Sequence, residues 1–121
     1  MTKRDIGFII DSSGSVGSRN WKTIQTFIKK VTDHFLLDPR YALFGVETYS
    51  DQASVEIEFG AFDKKTSFDS AVSGLTWLQG KTRTDLALEK ASNALFDSSH
   101  GSRMGVDKVA LIITDGQTNG L

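Results

Sequence analysis

Cysteine is absent from this chain of 121 residues, and proline occurs once. The first absence removes thiol nucleophiles, zinc–thiolate centres and disulfide staples, while leaving the redox compartment open. An excess of one charge is also missing. Fourteen basic and fifteen acidic residues give a formal net charge of -1, and no stretch gathers more than two or three like charges. That balance argues against a nucleic-acid footprint or an anionic-membrane patch. No apolar run approaches the roughly 20 residues that a spanning helix needs. Met1-Thr2-Lys3-Arg4-Asp5 leads into a strand-like run with no signal-type apolar region.

What is present is ordinary for a globular domain: 39% hydrophobic and 24% charged residues. At this size a chain removes roughly two thirds of its unfolded surface from water, so it folds without disulfides or a structural metal. The run Ile6 to Ile10, closed by Asp11-Ser12-Ser13-Gly14-Ser15, reads as a first strand buried on both faces. Trp21, Ile24, Phe27, Ile28, Val31 and Phe35 follow at helical spacing, and the helix is expected to end near Leu37-Asp38-Pro39. Tyr41 to Tyr49 reads as a second strand and Ser54 to Phe59 as a third, its alternation marking an edge with one wet face. Only Ser50-Asp51-Gln52-Ala53 lies between them, too short for a parallel crossover, so they form an antiparallel hairpin. A short helix over Phe68 to Leu75, a longer one over Thr84 to Phe96 and a fourth buried-type strand over Val109 to Ile113 complete the pattern. No internal repeat or linker interrupts it, so residues 1–121 are read as one domain.

This order fits an open, mostly parallel, twisted α/β sheet with helices on both faces, in the strand order 3-2-1-4 with strand 3 antiparallel. The first strand is then the topological switch point, where ligands bind beyond the carboxyl ends of the strands. Asp11, Ser13 and Ser15 stand at that end of the first strand, and Asp115 at the end of the fourth. Two carboxylates and two hydroxyls converging on one crevice repel unless a proton or a cation relieves them. Every donor is oxygen, which suits Mg2+ first and Mn2+ or Ca2+ after it. Each piece alone has a plainer reading: serine and glycine after a strand make turns and helix caps, and Asp-Gly is a common turn.

The runs F-I-I-D-S-S-G-S-V-G, F-G-V-x-x-Y-S, G-K-T-R-T-D-L-A-L and V-A-L-I-I-T-D-G, in that order, resemble the von Willebrand factor type A (vWA) domain over nearly the whole chain. The wording is closest to extracellular-matrix members such as those of matrilins and collagens. The resemblance implies a Rossmann-like fold and a metal-ion-dependent adhesion site (MIDAS) held by Asp11, Ser13, Ser15, Thr82 and Asp115. It implies that the cation engages a Glu or Asp of a protein partner, outside the cell or on its surface. Thr84 is an equal candidate to Thr82 on chemistry alone, and reads as the N-cap of a helix beginning at Asp85. The family usually continues past the T-D-G strand, whereas this sequence has six residues after Asp115. The expectation is therefore a shortened domain whose fourth strand is an open edge, covered by a second copy or by a complementing chain.

The remaining chemistry-bearing residues read as structural. His34 and His100 lack neighbouring ligands at metal spacing, Trp21 and Trp77 suit core packing, and Asp51 suits a turn. Glu47, a charge inside a central-looking strand, has no explanation in the sequence. Two other functions compete with cation-bridged adhesion. One is a matrix module that binds on a face away from the metal. The other is a Mg2+-dependent phosphotransferase with an aspartyl nucleophile, disfavoured by serine rather than an acid at position 13 and by the lack of a phosphate loop or a G-x-S-x-G elbow.

Overall fold

Period-two side-chain alternation along the first strand divides the apolar residues between two layers, and both layers receive helices. The structure, a computed structural model, describes residues 3–114. Strand β1 (Arg4–Asp11) sends Ile6, Phe8 and Ile10 to one side, where they meet Trp21 and Ile28 of helix α1 (Gly17–Thr32). Strand β2 (Ala42–Tyr49) adds Phe44 and Val46 to that layer. Strand β3 (Ala53–Ile57) contributes Ile57, and helix α2 (Lys65–Ser73) contributes Phe68 and Val72. Phe44 and Phe68 stack tilted, 5.0 Å between ring centroids. Ile9, Leu43 and Tyr49 point the other way, onto Ala87 of helix α3 (Thr84–Lys90) and Ala91 and Leu95 of the π-helical turn that continues it (Ala91–Leu95). Burying an Ile or Phe this fully contributes about 1.5–3 kcal/mol each.

Strand β4 (Asp107–Ile113) closes the described sheet, whose order is β3-β2-β1-β4. The strand β1 is parallel to both β2 and β4, and β2 pairs antiparallel with β3, as the short connection requires. β1 is thus central, flanked by crossovers that leave in opposite directions.

Several boundaries differ from the sequence reading. Helix α1 stops at Thr32, well before Pro39. Pro39 instead sits second in a tight turn, closed by Tyr41 N–H on Asp38 O at 2.8 Å and by Arg40 N–H on the Asp38 carboxylate. The helix expected over Thr84 to Phe96 is split. After Lys90 it widens to a π turn in which Phe96 N–H reaches Ala91 O at 2.9 Å, one residue further back than an α-helix allows. β4 has a buried-type sequence but only one strand neighbour among the described residues. Val109, Leu111 and Ile113 pack into the first layer, while Ala110 and Ile112 are exposed, Ile112 by 48%. An apolar run records what a strand can bury, not whether both of its flanks are covered.

Close packing against the second layer explains Gly7. A Cβ there would lie 2.6 Å from the Phe96 ring, so β1 and the end of the π turn can approach only because that side chain is missing.

Candidate metal centre

The carboxyl end of β1 delivers Asp11 fully buried, and the chain then folds back over it. Asp11 Oδ1 accepts the Ser13 N–H at 2.9 Å, an Asx-type turn that a short carboxylate makes with the backbone two residues on. Its other oxygen, Oδ2, accepts the Thr114 hydroxyl at 2.9 Å. Thr114 follows β4, so this bond ties together the ends of the two parallel strands. Ser13 is fully buried and leads into a 3-10 turn (Gly14–Val16) that carries Ser15 on the surface. The two hydroxyl oxygens, Ser13 Oγ and Ser15 Oγ, stand 3.1 Å apart.

A second loop, residues 76–83, is laced onto the first through its backbone. Gln79 N–H donates to Ser12 O at 2.8 Å, Gly14 N–H to Gly80 O at 2.9 Å, and Leu78 N–H to Ser12 Oγ at 2.7 Å. Trp77 Nε1–H donates to Ser13 O at 2.9 Å, fixing the carbonyl of a candidate ligand. To follow this path the chain adopts positive φ at two consecutive residues, Gln79 (64°) and Gly80 (88°). Glycine takes the second without strain, and the side chain at Gln79 carries the cost. The far side of the loop is clamped to the end of β2: Lys81 N–H donates to Asp51 Oδ1 at 2.9 Å and Arg83 N–H to Ser50 O at 3.1 Å. Thr82 lies between these clamps, 2% exposed.

The structure therefore brings Asp11, Ser13 and Ser15 together and binds the Thr82 loop to them. Asp115 lies outside the described residues. Among the described residues no three His, Cys, Asp or Glu side chains converge as a metal-holding group. A centre built of Asp11 and hydroxyls would not form such a group, so its suitability rests on the oxygens themselves. In octahedral coordination at 2.0–2.1 Å, two adjacent ligand oxygens lie about 2.9 Å apart. The Ser13–Ser15 separation is close to that edge length, and the Asp11 carboxylate supplies negative charge beside it.

Four residues important to this geometry were read differently from the sequence. Thr84 does not cap a helix: it is the first residue of α3, and no side-chain hydrogen bond caps that end. Asp51 is more than a turn residue, because its carboxylate holds the loop that carries Thr82. Trp77 is only partly a packing residue, and Ser12, passed over between the candidate ligands, is fully buried as a backbone tie. None of these pairings has a local signature, since they join positions 30 to 66 residues apart. His34 is exposed, and His100 lies 3.7 Å from Glu58.

A family model described as the von Willebrand factor type A domain matches residues 5–121. This chain belongs to that family. It is 34% identical over 114 residues to the human collagen alpha-1(XXI) chain, a match spanning 94% of this chain and 12% of that protein. It is 32% identical to mouse integrin alpha-M, over 96% of this chain and 10% of that one. Proximal thread matrix protein 1 of the mussel byssus, solved with zinc in its MIDAS motif, superposes with a TM-score of 0.85 at 28% identity. That match spans 98% of this chain and 30% of the mussel chain. The chain thus covers a small part of the length of these relatives, and what the whole proteins do is not carried by the match itself.

Proposed function

We propose that this vWA domain is a cation-dependent protein-binding module, with Asp11, Ser13, Ser15, Thr82 and Asp115 holding one divalent ion and an acidic side chain of a protein partner completing its coordination. The observation that carries the reading is the pair of hydroxyl oxygens 3.1 Å apart beside the buried Asp11 carboxylate. Hydroxyl ligands are neutral and leave a dication with most of its charge, so an open position on it attracts an anion. The all-oxygen donor set favours Mg2+ or Mn2+, while the zinc in the mussel relative's motif makes Zn2+ the natural competitor to titrate. Collagens and integrins as relatives support a setting in the matrix or at the cell surface.

Asp11 serves here as an electrostatic anchor and not as a nucleophile. Both its oxygens already accept hydrogen bonds, and a group transfer would need a positioned acid or base beside it. Calorimetric titration of metal-free protein with Mg2+ and Mn2+ tests the ion. Saturable one-to-one binding that Ser13→Ala weakens at least tenfold is the expected result, and affinity unchanged in a Ser13→Ala/Ser15→Ala double variant would remove the basis of the assignment. For the partner, retention on matrix extracts should be lost in EDTA and restored by Mg2+. Retention that ignores EDTA would favour a binding face away from the ion.

A further inference from the structure

Glu47 lies in the middle of β2 with no exposed surface, and neither of its carboxyl oxygens has a hydrogen-bond partner among the described residues. Buried carboxyl groups are ordinarily paired or hydrogen-bonded, so this position calls for a physical account. Its neighbours in register are apolar: Ile9 on β1 and Val55 on β3. Tyr49 lies two residues on along its own strand, on the same face of the sheet. From the helical layer above, the charge that reaches it belongs to Lys90. Burial pushes the Glu47 carboxyl up to about 8, and the attraction of Lys90 pulls it partly back.

Lys90 occupies a particular place. It is the last residue of α3, at the point where the helix widens into the π turn, and it lines an open hollow of about 640 Å3 with Gln52, Glu89, Asn93 and His100. A π turn holds one residue more than an α turn, and shifting that residue rotates the adjoining helix by about 100°. The junction is therefore a point at which a one-residue shift would reorient α3 against β2. At its other end α3 follows directly from the clamped segment Lys81-Thr82-Arg83, tied to Ser50 and Asp51 three and four residues beyond Glu47.

We propose that Glu47 is a proton-dependent positioning residue for the cation site: as the neutral acid it lets α3 lie flat on β2 with Thr82 seated, and as the carboxylate it recruits Lys90 and disturbs that packing. The proposal rests on the assignment of Thr82 to the cation site. Ionisation places a charge in an apolar layer, and the nearest relief is an ion pair with Lys90, which moves inward at the π junction. By linkage, the ion then binds the neutral form more tightly, and bound ion in turn keeps Glu47 protonated.

The test combines carbon-13 NMR of the glutamate carboxyl groups with Mg2+ calorimetry between pH 6.5 and 9, on the wild type, Glu47→Gln, Glu47→Leu and Lys90→Met. In metal-free wild type, Glu47 should titrate near 8, and Lys90→Met should move its midpoint upward. Mg2+ affinity should fall at least about threefold across this range in the wild type and stay flat in both Glu47 variants, with saturating Mg2+ raising the Glu47 midpoint by about half a pH unit. Glu47→Leu keeps the test open if the amide of Glu47→Gln is poorly tolerated in the layer. A Glu47 midpoint in the usual carboxylate range, an unmoved midpoint in Lys90→Met, or one pH profile shared by wild type and both Glu47 variants would each overturn the proposal. Mg2+ binding that is tight but flat with pH in the wild type rejects the role of Glu47 alone. No Mg2+ binding in any variant rejects the cation assignment itself, and the positioning role with it.

Discussion

Asp5 and Asp11 stand near opposite ends of one strand, on the same face of the sheet and roughly 20 Å apart at about 3.3 Å per residue. Both are fully buried, yet their surroundings differ in kind. Around Asp5 the chain supplies its own cations: Arg103 donates from Nε at 2.8 Å and from its backbone at 2.7 Å, Lys108 Nζ lies at 3.0 Å, and the Ser102 hydroxyl at 3.1 Å. Arg103 also bonds the carbonyls of Arg4 and Tyr41, so this end of the sheet is a closed knot. Asp11 has a backbone amide and a threonine hydroxyl, with serine hydroxyls beside it and no ion pair among the described residues. One end has been neutralised by the polypeptide, and the other holds its carboxylate with a backbone amide and a hydroxyl, the end at which the cation is proposed to bind. Burial alone therefore does not mark a site. What sets the proposed site apart is a buried carboxylate held by neutral donors instead of cationic side chains.

The largest effect should come from breaking the closed end. Asp5→Ala leaves Arg103 and Lys108 without their shared counter-charge and should cost about 3 kcal/mol in denaturant unfolding, with no more than a small change in metal affinity. Burial by itself would raise the Asp5 carboxyl, but the hydrogen bonds from Arg103 and Lys108 overcome it and hold the group below its usual 3.8. Its stabilisation is complete above that value and is lost as pH falls through the lower folded-state value. Asp5→Asn should therefore flatten the acid limb of the stability curve. An acid limb of unchanged steepness would show that Asp5 is not what holds this end.

At the open end the order of effects should invert. Asp11→Asn keeps a side-chain oxygen for the Ser13 amide, so metal-free stability should move by less than about 1 kcal/mol. Mg2+ affinity should be abolished, and with it the roughly 2.7 kcal/mol of stabilisation expected at ion concentrations a hundred times the Kd. A loss of stability in metal-free Asp11→Asn as large as that of Asp5→Ala would erase the distinction between the two ends. Trp77→Phe should fall between these cases. It keeps most of the ring contact, loses the hydrogen bond to Ser13 O, and should cost about 1 kcal/mol together with a several-fold loss of Mg2+ affinity.

Much of this was legible in the sequence, and for identifiable reasons. The order β3-β2-β1-β4 follows from one short hairpin connection and two long crossovers. Asp11, Ser13 and Ser15 are legible because they are contiguous at the end of an unambiguous strand. The knot at Asp5 was not, since it joins residues about a hundred positions apart. Nor was the π turn, since Ala91 to Leu95 has no local signature for it, and its end packs on Gly7 and Gly45, distant in sequence. The single strand neighbour of β4 among the described residues agrees with the expected order 3-2-1-4, whereas its own residues read as fully buried.

The smallest effect separates two threonines that composition cannot distinguish. Thr82 is 2% exposed on the clamped loop, whereas Thr84 opens α3 half-buried and makes no capping bond. A threonine that truly caps a helix costs about 1 kcal/mol when replaced by alanine. Thr84 has no such bond to lose, and alanine is the better helix former, so Thr84→Ala should leave stability within about 0.5 kcal/mol of wild type and leave Mg2+ affinity unchanged. Thr82→Ala, by contrast, removes a proposed ligand and should weaken Mg2+ at least several-fold. Measured side by side by thermal unfolding and calorimetry, the pair checks whether the clamp at Ser50 and Asp51 selects one hydroxyl over the other. Equal losses of affinity would mean that the first turn of α3, and not the clamped loop alone, reaches the cation.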